Sequence, residues 1–370
     1  MSWIITNILP FLIVLSILVF VHEWGHFYVA RKNKVKVTDF SIGFGPELFG
    51  WTDKHQTRWK FSLIPLGGYV KMLGDADPTS AKQDEKLELT EEEKSQTLFS
   101  KTPLQRMAVA FAGPAVNIIF AIFILWAIIA IKGIPVIPAM IESVLENGIA
   151  QKAGLMAKDK VLKVDNNAIN DQRDLIKAIR SSAGTDAVFE VQRGNNQVKI
   201  TVPCYEMENG VKKPVKILGI KIGGEPSYIK HNPISAIAYS MHYCFTLSMD
   251  TIQALGMLIT GKAGSDIGGI VSIGDMAAKS MQNGLASLMM FMAALSVSLG
   301  LFNLLPVPGL DGGHILLYGI EIVLGRPLPQ KLQEYILTTG FFIIISVIVY
   351  VTWNDLMRYK VFQIVKGWFS

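Results

Sequence analysis

From Leu9 to Val21 the chain is built almost wholly of Leu, Ile, Val and Phe, interrupted only by Pro10 and Ser16. At the end of that run, which extends to Phe27, stands His22-Glu23-Trp24-Gly25-His26. An apolar stretch of this length has few options besides a helix that crosses a membrane. Ionisable side chains set against such a run are costly, so a cluster of them reads as functional. If the helix continues through Phe27, His22 and His26 lie at i and i+4 on one face. Two imidazoles so placed can ligate one Zn²⁺, and Glu23, one step round the helix, can activate a bound water. The plain alternative is a chance H-E-x-x-H at a helix end, and its membrane position weighs against that.

Composition agrees with a bilayer as the solvent. Half of the 370 residues are hydrophobic and 18% are charged, against about 25% charged in a soluble domain. That leaves room for one soluble domain. The net charge of +5 comes without a basic helix or an aromatic-basic sheet pattern, so nucleic acid is not expected as a partner. Basic residues flanking membrane spans account for it instead. Cys204 and Cys244 are the only cysteines, which excludes a disulfide framework and a Cys-based zinc site. Met1-Ser2-Trp3-Ile4 lacks the basic start and small-residue cleavage site of a signal peptide, so the first span is expected to be retained.

Four spans are expected, at roughly residues 4–27, 107–131, 285–305 and 335–353. Arg31, Lys32, Lys34 and Lys36 follow the first span and no Lys or Arg precedes it, which places the N-terminus outside and this loop in the cytoplasm. The C-terminus is then outside as well. Residues 37–74 read as short strands and turns: Trp59 to Leu63 alternates, and Gly43-Phe44-Gly45-Pro46 and Pro65-Leu66-Gly67-Gly68 break it. Glycines there allow close backbone approach, and an open strand edge could pair with an extended substrate. Asp75 to Gln96 is a polar linker or surface helix with no chemistry assigned. In the second span Gly113-Pro114 should kink or loosen the helix. Asn117 is a lone amide, equally consistent with helix packing and with a site-lining helix.

The chain turns soluble over 134–226. Ala187 to Arg193 and Val198 to Val202 alternate as strands, Gly194-Asn195-Asn196 and Asn209-Gly210 make turns, and a helix is predicted over about Gln172 to Ser181. Gly148 to Leu155 with Asp159 to Val164 resembles the signature of a PDZ domain, in the permuted order of the bacterial type. Pro233 to Thr260 reads as an amphipathic helix lying on the membrane, followed by a Gly-rich segment, Gly261 to Gly274. The third span ends in Asn303 to His314, where Pro306, Pro308 and three glycines break the helix at membrane depth. Irregular backbone is tolerated there only when buried in protein or lining a wet cavity.

A catalytic zinc takes three protein ligands and leaves one position open. His22 and His26 supply two. Asp311, in the broken helix, is the leading candidate for the third and His314 the runner-up; Asp250, Asp266 and Asp275 lie in more polar surroundings. Asn303 carries an amide that could hold substrate backbone or an oxyanion. The chemistry this makes is peptide hydrolysis inside a bilayer. A zinc transporter would also place His and Asp in spans, but has no need of Glu23 beside His22. A non-catalytic PDZ scaffold would have no need of Glu23 or Asp311.

The motifs H-E-W-G-H, Gly43-Phe44-Gly45, Pro65 to Met72, Ala112-Gly113-Pro114-Ala115-Val116-Asn117 and Asn303 to Gly313 occur together in this order. In this the chain resembles the site-2 proteases, specifically the bacterial regulator of sigma-E protease group. The resemblance implies a multi-span α-helical membrane protein with about four transmembrane helices, a membrane-associated β-loop and one inserted α+β PDZ-like domain. It divides the chain into a first half of a protease core at 1–131 (β-loop 35–74, polar linker 75–100), a PDZ-like domain at 134–226 and a second half at 232–370. It implies Zn²⁺ on His22, His26 and Asp311, Glu23 as the catalytic carboxylate, and substrate contacts from Asn303, Gly43 and Gly45. The implied partners are the lipid bilayer and single-span membrane proteins, such as shortened anti-sigma factors or leftover signal peptides. The implied place is the bacterial inner membrane, with the PDZ-like domain in the periplasm. One departure stands out: the sigma-E type usually carries two PDZ domains, and 134–226 has room for one.

Overall fold

The computed structural model describes residues 2–75, 88–208, 211–215, 218–224, 227–230, 232–260 and 269–358. The expected turn at Asn209-Gly210, residues 76–87 of the polar linker, the start of the Gly-rich segment and Asp266 lie outside them. The chain divides into two compact units, residues 1–128 with 234–370, and residues 129–233.

The first unit begins with α1, Ser2–Lys32, in which the helix passes through Pro10 and carries the H-E-x-x-H run without a break. Two long antiparallel strands follow, β1 (Val37–Thr52) and β2 (Arg58–Met72). Short strands were expected here. The strands are long because they bend: Ile42 stands opposite both Gly68 and Phe61, so the hairpin curls back on itself. Gly43 at φ +93° and Gly67 at φ +140° supply backbone conformations that other residues rarely adopt. The curled sheet packs Phe40, Val70 and Met72 against Phe27 and Ala30 of α1. The short helix α2, Glu91–Ser95, opens with a capping box between Thr90 and Glu93. Helix α3, Pro103–Lys132, continues through Gly113-Pro114.

The second unit contains β3 (Ile134–Val136), β4 (Met140–Val144), α4 (Ile149–Ala153), β5 (Lys160–Val164), β6 (Asn167–Ala168), α5 (Gln172–Ser181), β7 (Asp186–Arg193), β8 (Asn196–Pro203), β9 (Tyr205–Glu208), β10 (Val211–Pro214), β11 (Ile220–Gly223) and β12 (Ser227–Ile229). The sheet runs β11-β4-β5-β7-β8 with β6 on β5, while β3 pairs with β12 and β9 with β10. Alternation in β7 puts Ala187, Phe189 and Val191 into a core with Ile141, Val161, Leu175 and Val202. Arg193 binds the fully buried Asp159 with two donors, each at 2.8 Å, and donates to the Gly154 carbonyl as well. Burial alone would raise the Asp159 pKa, but the Arg193 hydrogen bonds and the Met156 backbone amide hold it below its ordinary value.

The chain then returns to the first unit with α6 (Pro233–Ile259), α7 (Ile270–Gln282), α8 (Leu285–Asn303), α9 (Asp311–Leu324) and α10 (Gln330–Arg358). Helix α6 packs Cys244 onto α3 and α8 through Leu125, Ile128 and Val297. It also exposes Ile237, Met241 and Phe245 at helical spacing. Helix α7 occupies part of the stretch read as a Gly-rich segment. Its first turn has no side-chain cap of its own; Asp355 of α10 accepts from the Ser272 amide at 2.9 Å and from its hydroxyl at 2.5 Å. Among the described residues three helices are long and apolar enough to cross a membrane: Leu9–Lys32, Pro103–Lys132 and Leu285–Asn303. The expected last span, 335–353, lies within α10.

Candidate active site

Three elements of the first unit meet at His22. Helix α1 presents His22 and His26 one turn apart, their rings 4.8 Å between centroids and nearly perpendicular. Asp311 is the first residue of α9, directly after the irregular segment that follows α8. A carboxylate in a helix's first turn is favoured by the free amides and dipole there. Its Oδ2 lies 3.2 Å from His22 Nε2 and its Oδ1 3.4 Å from His26 Nε2, while the two Nε2 atoms are 3.2 Å apart. His22, His26 and Asp311 form a group of donors able to share one metal ion.

These spacings suit zinc. Ligand bonds of about 2.0–2.1 Å at a tetrahedral angle put neighbouring donor atoms about 3.3 Å apart. Apart from the close His22 Nε2, Asp311 Oδ2 is buried with no hydrogen-bond partner among the described residues, a state that is costly unless a cation completes it. The residues present therefore fit the metal.

Helix α3 forms the facing wall through residues spaced at i, i+4 and i+8. The His26 Nδ1–H donates to the Val109 carbonyl at 2.8 Å. Gly113 lies against the rings: a Cβ there would stand 2.3 Å from His26 Nε2 and 2.8 Å from His22 Cε1. Asn117, fully buried, places its amide 3.0 Å from His22 Nδ1. The close approach is reciprocal, since a Cβ on Gly25 of α1 would lie 2.6 Å from the Ala112 carbonyl. Helices α3 and α9 are joined by a mostly buried ion pair, Arg106 to Glu321 at 2.6 Å, with Arg106 stacked 4.9 Å from the Tyr318 ring.

Glu23 adjoins β2 and lies within electrostatic reach of His26, His22 and Asp311. The Val70 backbone amide hydrogen-bonds it, and a Cβ on Gly68 would come 3.3 Å from its Cγ. The strand's glycine thus leaves the carboxylate its room.

The other expected residues fall elsewhere. His314 lies one turn into α9 with its ring 6.1 Å from Tyr318, outside the donor cluster. Asp275 pairs with Lys279 on α7, and Asp250 lies on α6. Asn303 is the last residue of α8, half-buried and outside the three-donor group. Gly43 and Gly45 are in β1 at φ +93° and +86°, and a Cβ on Gly43 would strike the Ile64 carbonyl at 2.8 Å. Their local role is to shape the hairpin. The sequence reading left Gly68 and Gly113 as parts of motifs and Asn117 undecided. The Val109-Gly113-Asn117 stripe at spacing four was the available signal.

A family model described as Peptidase family M50 matches residues 10–347. Proteins of Agrobacterium fabrum and Mesorhizobium japonicum, both named "Putative zinc metalloprotease", are each 37% identical, over 94% and 95% of this chain and 95% and 98% of their own. "Metalloprotease MmpA" of Caulobacter vibrioides is 32% identical over 97% of both chains.

Proposed function

This chain belongs to peptidase family M50, and from that premise we propose that it is a zinc-dependent endopeptidase that cuts single-span membrane proteins within their membrane segments. The observation that carries the reading is the convergence of His22, His26 and Asp311 within a helix bundle apolar enough to be embedded, with Glu23 one residue from a ligand. Relatives named as zinc metalloproteases support the metal and the reaction class.

In this reading His22, His26 and Asp311 hold the metal, and the fourth position stays open to substrate. Zinc bound there supplies Lewis acidity to a carbonyl oxygen and to a water. Glu23 takes the proton released by the attacking water and delivers it to the leaving amine. The β2 edge beside Glu23 offers backbone groups to which an unwound substrate segment can add as a strand. Asn303, Gly43 and Gly45 contribute to holding that segment. Four spans with both termini outside, a bacterial inner-membrane location and a periplasmic PDZ-like unit at 134–226 complete the proposal.

The test is incubation of the purified chain in detergent with single-span peptides, with and without a zinc chelator. We expect cleavage that the chelator stops and added zinc restores. Glu23→Gln should keep its zinc and lose about 10²–10⁴ in rate. Cleavage indifferent to the chelator, or a Glu23→Gln enzyme within about tenfold of wild type, would reject the reading.

A further inference from the structure

Resting on the zinc reading, we propose that Asn117 is a positioning residue that sets which nitrogen of His22 carries the proton, and so how tightly His22 binds the metal. His26 needs no such help. Its Nδ1 faces the Val109 carbonyl, which can only accept. The proton is therefore on Nδ1, and Nε2 presents its lone pair to the site.

For His22 the partner of Nδ1 is an amide, which can face it either way. Drawn with Nδ2 toward the ring, Asn117 donates to Nδ1 at 3.0 Å. A neutral ring accepting at Nδ1 must carry its proton on Nε2, the atom 3.2 Å from both His26 Nε2 and Asp311 Oδ2. That proton occupies the direction a metal would need. In the same arrangement Asn117 Oδ1 is buried without a partner among the described residues.

A half-turn of the amide brings Oδ1 to Nδ1. The ring then donates from Nδ1, and Nε2 is free to ligate. The terminal amide torsion is broad and close to two-fold, so the turn demands no backbone movement. The backbone at Asn117 is itself held, since its carbonyl accepts from Ser296 Oγ of α8 at 2.8 Å. Asn117 thus has two settings: one suited to the metal-free pocket and one required by the loaded pocket. An amide supplies both, whereas a residue that can only donate or only accept supplies one.

The experiment compares Asn117→Leu and Asn117→Asp in the full-length chain in detergent. Zinc affinity is measured by competition with a chelator, and metal-free thermal stability is measured alongside. Leu keeps the branching at Cγ and removes the acceptor, with some added bulk; Asp keeps the acceptor and buries an acidic group. If Asn117 acts as the acceptor, Leu lowers zinc affinity about 10–100-fold, as loss of a ligand's hydrogen-bond partner does, while Asp stays within about tenfold of wild type. A residue that merely packs gives the reverse order, with Leu tolerated and Asp damaging. Leu binding zinc as wild type does, or both variants losing it equally, would overturn the inference and leave the zinc reading standing. A wild-type chain that binds no zinc would overturn both.

Discussion

Replacing Gly113 with alanine adds one methyl group at the narrowest point of the site. The new carbon would sit 2.3 Å from His26 Nε2, 2.7 Å from its Cε1 and 2.8 Å from His22 Cε1. Non-bonded heavy atoms rest at about 3.5–4.0 Å, so more than 1 Å of separation must be found. The His26 ring cannot supply it alone, because its Nδ1 is bound to Val109 on the same face of α3. Parting the helices instead breaks the contact of Gly25 with the Ala112 carbonyl. Either route moves the ligand atoms by about 1 Å, and displacements of that size cost about 10²-fold in rate. Overpacking should also cost about 1–3 kcal/mol of stability. Gly256→Ala on α6 is the control. Among the described residues a Cβ there meets nothing within 4 Å, and replacing a helical glycine should stabilise by up to about 1 kcal/mol. Initial rates on a single-span substrate, with zinc measured per chain, decide the matter. A Gly113→Ala enzyme with full zinc and activity within about threefold of wild type would refute the argument, which requires about 10²-fold.

Asp311→Ala should lose its zinc, whereas His314→Ala should retain it; metal analysis of the two purified proteins checks this, and the reverse pattern would move the third ligand to His314. In the 129–233 unit, Arg193→Leu strands the buried Asp159 and should destabilise that unit by about 2–3 kcal/mol near pH 7, less than the 3–5 kcal/mol of a fully buried pair because Arg193 is one-third exposed. The pH dependence follows from the depressed Asp159 pKa: its contribution is complete above the ordinary aspartate value of about 4 and is lost as pH falls through the lower folded value. Denaturant unfolding of the full chain followed by hydrogen exchange in β5 and β7 should show that acid loss in wild type and not in Arg193→Leu.

That the two histidines meet on one face was legible because the information is local: an i, i+4 pair on a helix whose apolar composition fixes its period. Asp311 was legible by chemistry, as a carboxylate at a break in an apolar run. The same locality explains α5, whose Leu175, Ala178 and Ile179 all face the core. What stayed hidden depends on distant partners. Val109, Gly113 and Asn117 matter through contacts across 83 to 95 residues of chain, and a glycine's closeness to a ring leaves no mark on its neighbours in sequence. Helix α7 was obscured because it opens on glycine and borrows its cap from Asp355, 83 residues away. The length of β1 and β2 was hidden by the glycines that bend them, which read from sequence as stops.

The donor set is split between the two ends of the chain. His22 and His26 belong to the first helix, and Asp311 is synthesised 285 residues after His26, since 311 − 26 = 285. At about 5–20 residues per second, translation takes about 15–60 s to cover that interval. Throughout it the nascent first helix, already in the bilayer, holds two imidazoles and an acid with no third ligand. Under the proposed ligand set, hydrolysis must wait for the last third of the chain. A peptidase that shares its membrane with other newly inserted helices thus lacks its third ligand until its own assembly is nearly complete.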